Sequence, residues 1–273
     1  MDKPTASLRS LQDSLGEIGR SGVRRSMGWS VSWWHVVRVG ALILVLALSP
    51  STYSRANRAA LARHIVVGTA PMLPWFAMLA ALISVVLIRI VIVTAQSYGL
   101  SQYALEMMVR VLVLELIPLA AALFVALRNT VPSGAELVRM HARGEFEALQ
   151  GSGTDALRHE LLPRVIAGVF AVLMLAAVSC LIAMVLAYLA VYGFTLAGLP
   201  GFTHTLGHIF NPAVTLIFAL KTLFFSFAVA LIPVAAFLRS AAPQRASPEL
   251  DSLVRLLAAI LLIEADSLMG NYY

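Results

Sequence analysis

The chain has 273 residues, of which 60% are hydrophobic and only 12% charged, with a formal net charge of +6. A soluble domain carries roughly a quarter charged residues, so this composition excludes water as the main solvent and, with it, a soluble enzyme or binding module. The basic balance does not signal nucleic acid either, because the arginines gather at the ends of apolar runs, the positive-inside pattern of membrane topology. In lipid every backbone polar group must be paired internally, which leaves helices or closed barrels. The apolar runs are long and continuous, without the two-residue alternation of a barrel strand. The predicted fold is therefore all-α: an integral membrane protein with interfacial and elbow helices at the N-terminus and about five transmembrane helices.

Residues 1–30 are polar and mixed in charge, and they do not read as a cleavable signal peptide. Leu8, Leu11, Leu15, Ile18 and Val23 recur at loosely helical spacing, which predicts an amphipathic helix on the cytoplasmic face. Trp29, Trp33 and Trp34 suit an interfacial aromatic belt. The run from Val36 to Ser49 is short for a span, which needs about 20 residues, and reads as an elbow or re-entrant helix closed by Pro50. Residues 1–62 are expected to form this interfacial part and 63–273 the transmembrane domain.

Five spans follow, near 66–93, 107–127, 163–195, 211–238 and 252–270. Segments 94–106 and 196–210 contain no Lys or Arg, whereas 128–164 carries Arg128, Arg139, Arg143, Arg158 and Arg164. The alternation predicts a cytoplasmic N-terminus and 128–164 segment, and a C-terminus on the periplasmic side of an inner membrane. Within 128–164 a helix is expected from Ala135 to Leu149, then a turn at Gly151-Ser152-Gly153 and a second helix starting at Asp155. Such an exposed helical hairpin is either a docking surface or a plain connection.

Charges inside a span are costly and mark function by default. Arg89, Arg110, Glu115 and Lys221 stand out. Pro118, three residues after Glu115, removes a backbone donor and kinks the helix, so Glu115 is expected to face a cavity or a neighbouring helix. Its partner is Arg110 or Lys221, and a purely structural pair is the plainer alternative. Arg89 and Arg110 have a snorkelling alternative at an interface. The two lysines, Lys3 and Lys221, lack the glycine pattern of a phosphate-binding loop, so ATP is not expected to be hydrolysed by that route. His159-Glu160 lacks the second histidine of a zinc protease, since Pro163 stands in its place. His204 and His208, four apart, make too poor a ligand set for a metal. No metal or cofactor is expected in this chain, and the lone Cys180 reads as a packing residue.

The series Glu115 and Pro118, Arg128, Ala135-Glu136, Met140, Asp155-Ala156-Leu157, Pro163-Arg164 and Ala167-Gly168 resembles the MlaE (YrbE) permease family of lipid-transporting ABC systems. That family has Arg-Glu-Leu-Gly-Pro in a span, a Gly-Arg pair, an Ala-Glu-x-Gly-x-Met segment and an Asp-Pro-Leu…Pro-Arg…Ala-Gly ending. Leu220-Lys221-Thr222 with Phe224, and Val67-Gly68 upstream, add to the likeness. The chain departs from the pattern at Leu114, Ile117, Leu127 and Val138, at Gly144-Glu145, and at Ala241-Ala242-Pro243-Gln244, and Arg89 stands where the family often has Gln. It resembles a diverged subgroup, or one half of a heterodimeric permease.

The resemblance implies a permease dimer that moves phospholipid between inner and outer membranes. Two cytoplasmic ABC ATPase subunits would bind the ATP, and a periplasmic MCE-domain protein would exchange the lipid. It places Glu115, Pro118, Lys221 and Arg89 at the transport cavity. Arg128, Glu136, Met140, Glu145, Glu147, Asp155 and Arg164 fall in the ATPase-coupling segment. Two other classes stay open: an ion-coupled carrier with Glu115 as its relay, and a non-transporting subunit of a heterodimer. An intramembrane enzyme lacks any clustered nucleophile and base.

Overall fold

The computed structural model describes residues 34, 36–46, 49, 55–145, 160–240 and 248–272. Every regular element among them is a helix. The chain divides into two units, one ending at Val45 and one running from Leu46 to Tyr273. Besides Trp34, the described part of the first is α1, Val36–Leu46, whose last residue opens the second unit; it is about 16 Å long at 1.5 Å per residue and so roughly half a bilayer core. The predicted amphipathic helix before it, the 241–244 segment, and residues 146–159 with Glu147 and Asp155 lie outside the described residues.

In the second unit α2 (Arg55–Thr69) leads into α3 (Met72–Ser97). Pro71 interrupts the ladder between them, since it has no N–H to give to the preceding turn. Met72, Phe76, Ala80, Ser84 and Ile88 recur every four residues and form the buried stripe of α3. The opposite face shows Trp75, Met78, Leu82 and Val86 to the outside. Only 22% of this span's most apolar window is buried, so an apolar outer surface of this extent needs lipid as its solvent.

The second span runs from Ala104 to Ala142 and is the most buried, at 56% of its apolar window. It is built in pieces: α4 (Ala104–Met108), a π-helical stretch Val109–Leu116, α5 (Ile117–Val125), a second π stretch Ala126–Thr130, and α6 (Val131–Ala142). Pro118 and Pro132 each sit in the first turn of the α-helix that follows a π stretch. Just before each proline the ladder is widened: Ile117 N–H donates to the Leu112 carbonyl and Val131 N–H to that of Ala126, both five residues back. In this register the donor due to Val113 is Pro118, which has none, and the Cys180 thiol lies 3.7 Å from the Val113 carbonyl oxygen instead. The helix expected over 135–149 instead begins at Val131 as the last piece of this span, because proline favours a first helical turn; its residues 146–149 lie outside the described residues. It ends at Ala142, followed by Gly144 with φ +73°.

Helix α7 (Leu162–Tyr192) packs against α2, α3 and α5 through small residues such as Ala171, Ala176, Ser179, Ala183 and Ala187. Small residues let backbones approach where lipid supplies no hydrophobic drive. At Gly168 an added Cβ would meet Ala230 Cβ at 3.3 Å and Thr130 Cγ2 at 3.4 Å. The helix stops at Gly193, whose φ of +67° favours glycine. A short helix α8 (Leu199–Ile209) follows, then α9 (Pro212–Ser240), entered through a bond from Val214 N–H to Asn211 Oδ1 at 2.8 Å. The last helix, α10 (Pro248–Tyr272), lies along α9. Four runs are long and apolar enough to span a membrane. With 25 residues α10 is slightly shorter than these and carries Arg255, Glu264 and Asp266, but it is still long enough to cross a hydrocarbon layer.

Candidate functional site

The polar centre of the bundle is built by three elements. Helix α9 contributes Lys221, with a side chain only 1% exposed. The first π stretch contributes Glu115 and α10 contributes Glu264. Lys221 Nζ is ion-paired with the Glu115 carboxylate and lies 2.9 Å from Glu264 Oε2. It also approaches the Leu114 carbonyl oxygen at 3.4 Å. That carbonyl stands four residues before Pro118, where an α-helical partner would have been. The Phe225 ring, one turn along α9, closes a further side with its centroid 5.7 Å from Nζ.

Proline therefore does two things at this site. It widens the helix that carries Glu115, and it leaves carbonyl groups to be satisfied from outside the helix. The ammonium and the carboxylates, each costly to bury alone, offset part of one another's burial cost.

Arg110, the other partner considered for Glu115, is engaged elsewhere: its Nε lies 3.0 Å from Glu106 Oε1, one turn earlier. These two, with Leu100, Tyr103 and Met107, line an open cleft of about 290 Å³. Arg89 sits on the exposed side of α3 among Val86, Ile90 and Val93 and makes no ion pair with any described residue. Pro118 is buried directly after the π stretch. Glu264 was missed by the sequence reading, although the rule that singled out Glu115 applies equally to a carboxylate in the 252–270 run.

A second cluster lies where α6 meets the start of α7. Arg164, 14% exposed, lies 3.4 Å from Glu136 Oε2 and 3.1 Å from Glu160 Oε2. It also reaches the Ser133 carbonyl at 3.4 Å and Met140 Sδ at 3.5 Å. Glu136, Met140 and Arg164, scattered in sequence, are thus one assembly, with the Glu136 side chain 62% exposed. Arg128 is exposed in the second π stretch. Among the described residues Glu145 pairs with Arg143, at 3.2 Å and largely in the open, a contact worth little. His204 and His208 stand together on α8 with ring centroids 5.2 Å apart.

A bundle of apolar helices of membrane-spanning length with a buried charge cluster defines a polytopic membrane protein. Residues 61–265 match the family described as Permease MlaE, and the chain belongs to that family. No curated protein matches the chain.

Proposed function

We propose that this chain is the membrane-spanning subunit of an ABC-type transporter that moves phospholipid between the inner and outer membranes. It would act as a permease dimer, with cytoplasmic ATPase subunits and a periplasmic MCE-domain partner. The observation that carries the reading is the Lys221 cluster: three ionisable groups in the apolar interior, at the point where the second span is widened. Intramembrane charges of this kind mark substrate pathways. ATP-driven closure moves a lipid only if the two states bind it differently, and a π stretch that shifts register offers two such states. On the cytoplasmic side, the Arg164 assembly ties α6 to α7, so a push on Glu136 would be passed into the core helix.

The test is a proteoliposome assay with the full set of partners, reading lipid transfer and lipid-stimulated ATP hydrolysis. Glu115→Ala should abolish transfer, and Glu136→Lys should uncouple hydrolysis from it. If both variants behaved as wild type, the assignment of these residues would fall. Transfer driven by an ion gradient without any ATPase would instead favour an ion-coupled carrier with Glu115 as the relay.

A further inference from the structure

The open cleft lined by Leu100, Tyr103, Glu106, Met107 and Arg110 lies apart from the Lys221 cluster. It belongs to the end of the bundle away from Arg164, since Ala104 and Leu105 are buried there with Ala187, Phe202 and Ile209. The segments that close this end, 93–109, 182–211 and 265–273, contain no Lys or Arg. Arg110 is thus a cation held where the neighbouring segments have none, and a charge kept in a span asks for a function.

Its Cα lies about 10 Å along the helix from that of Tyr103, seven residues at 1.5 Å each. Helical side chains lean towards the N-terminus, and Arg110 Nε lies 3.0 Å from Glu106 Oε1, one turn earlier. The guanidinium is therefore carried back towards Tyr98 and Tyr103, both exposed, and tyrosines of this kind sit at head-group level. The bond to Glu106 uses one of the five N–H donors of an arginine. The four on Nη1 and Nη2 meet no acceptor on any described residue, and the side chain is 31% exposed.

Two planar pairs of N–H groups at fixed spacing match two oxygens of a phosphate. Glu106 and Arg110 are neutral as a pair, and the carboxylate fixes the plane of the fork. Tyr103, Met107 and Val111 are exposed at four-residue spacing, a strip about 12 Å long on which an acyl chain can lie. The cleft, about 290 Å³, is smaller than the roughly 300–1,000 Å³ of a site that encloses a whole small molecule. It has room for a head group and leaves the chains outside. We propose that this cleft is a seat for the phosphate of a membrane phospholipid, gripped by the two Nη groups of Arg110, with an acyl chain along Met107 and Val111. Binding there does not depend on the transport reading. Within that reading the cleft is a station on the lipid's path, because Arg110 lies five residues from Glu115 on the same span.

The full-length protein in detergent is illuminated with a phosphatidic acid that carries a diazirine in one acyl chain, and labelled peptides are mapped by mass spectrometry. Labelling over 100–111 should exceed that on the outer face of α3, between Trp75 and Val86, which reports lipid that only surrounds the protein. Arg110→Gln should cut the 100–111 labelling roughly tenfold, the worth of one charge-assisted hydrogen bond, and leave the α3 labelling unchanged. Arg110→Lys, a point charge without the fork, should fall between the two. Wild-type labelling in either variant, or no excess over α3 in wild type, overturns the seat.

Competition needs no variant and identifies the source of the phosphate. Unlabelled phosphatidylglycerol should displace the probe, and diacylglycerol with the same chains should not. Displacement by diacylglycerol overturns the phosphate seat in favour of a plain chain groove. Displacement by millimolar inorganic phosphate overturns the lipid in favour of a free anion. Each of these outcomes leaves lipid transport standing, whereas a dead transfer assay with the labelling intact removes transport and leaves the seat.

Discussion

Replacing Lys221 by methionine would remove the ammonium that is ion-paired with both Glu115 and Glu264 in the apolar interior. Breaking a buried ionic group by removing one partner costs about 3–5 kcal/mol, whereas replacing the whole group by neutral residues of similar volume is often neutral. Lys221→Met alone should therefore lose most of its monodisperse, folded fraction in a thermal ramp followed by size exclusion. The triple variant Lys221→Met, Glu115→Gln, Glu264→Gln should recover much of it. A single variant as stable as wild type would mean that the cluster does not hold the bundle. Glu115 and Lys221 were legible from sequence because a charge in an apolar run is conspicuous. The choice of Lys221 over Arg110 as partner was not, since Glu115 and Lys221 lie 106 positions apart and no local spacing connects them. Glu264 was equally conspicuous in principle, in a final run rich in leucine.

At the scale of elements, the prolines of the second span carry the consequences. Pro118 signalled a kink in the sequence, but a kink and a widened register look alike there, because both start from one missing donor. Pro118→Ala restores an N–H that can reach the Val113 carbonyl and compete with the Cys180 thiol. Cys180 is the only cysteine, so its S–H stretch can be read by infrared spectroscopy without assignment. The band should move from a hydrogen-bonded to a free position in Pro118→Ala, and an unmoved band would show that the proline is not what leaves the Val113 carbonyl open to the thiol. Pro132 likewise marked the start of α6, and reading that signal would have placed the helix at 131 instead of 135. Gly168 offers a plainer test. Gly168→Ala brings its new methyl within 3.3 Å of Ala230, and overpacking of this kind costs roughly 1–3 kcal/mol. A Tm equal to wild type would mean that α7 and α9 separate easily at this point.

For the whole molecule, the helical class and most of the span positions were readable from hydropathy alone, because lipid leaves the backbone few choices. The contact of Glu136 and Met140 with Arg164 was not readable, because it depends on how α6 and α7 meet. The predicted orientation is open to direct test against a quiet background, since Cys180 is buried. Thr203→Cys, exposed on α8, should react with an impermeant maleimide on intact cells. Arg143→Cys, exposed after α6, should react only after permeabilisation, and the opposite pattern would invert the topology.

The length of α7 has a consequence for the membrane itself. From Val165, just inside the Arg164 assembly, to Tyr192 it offers 28 residues without a charge, or about 42 Å of apolar rod at 1.5 Å per residue. The hydrocarbon layer is about 30 Å thick, and each Å of excess costs a fraction of a kcal/mol, relieved by tilt or by local thickening of the bilayer. Lipids in the surrounding annulus would then be stretched before the protein ever binds one. Part of the work of lifting a lipid out of its leaflet is then done by the mismatch between rod and bilayer, so transfer should slow in thicker membranes that fit the rod better.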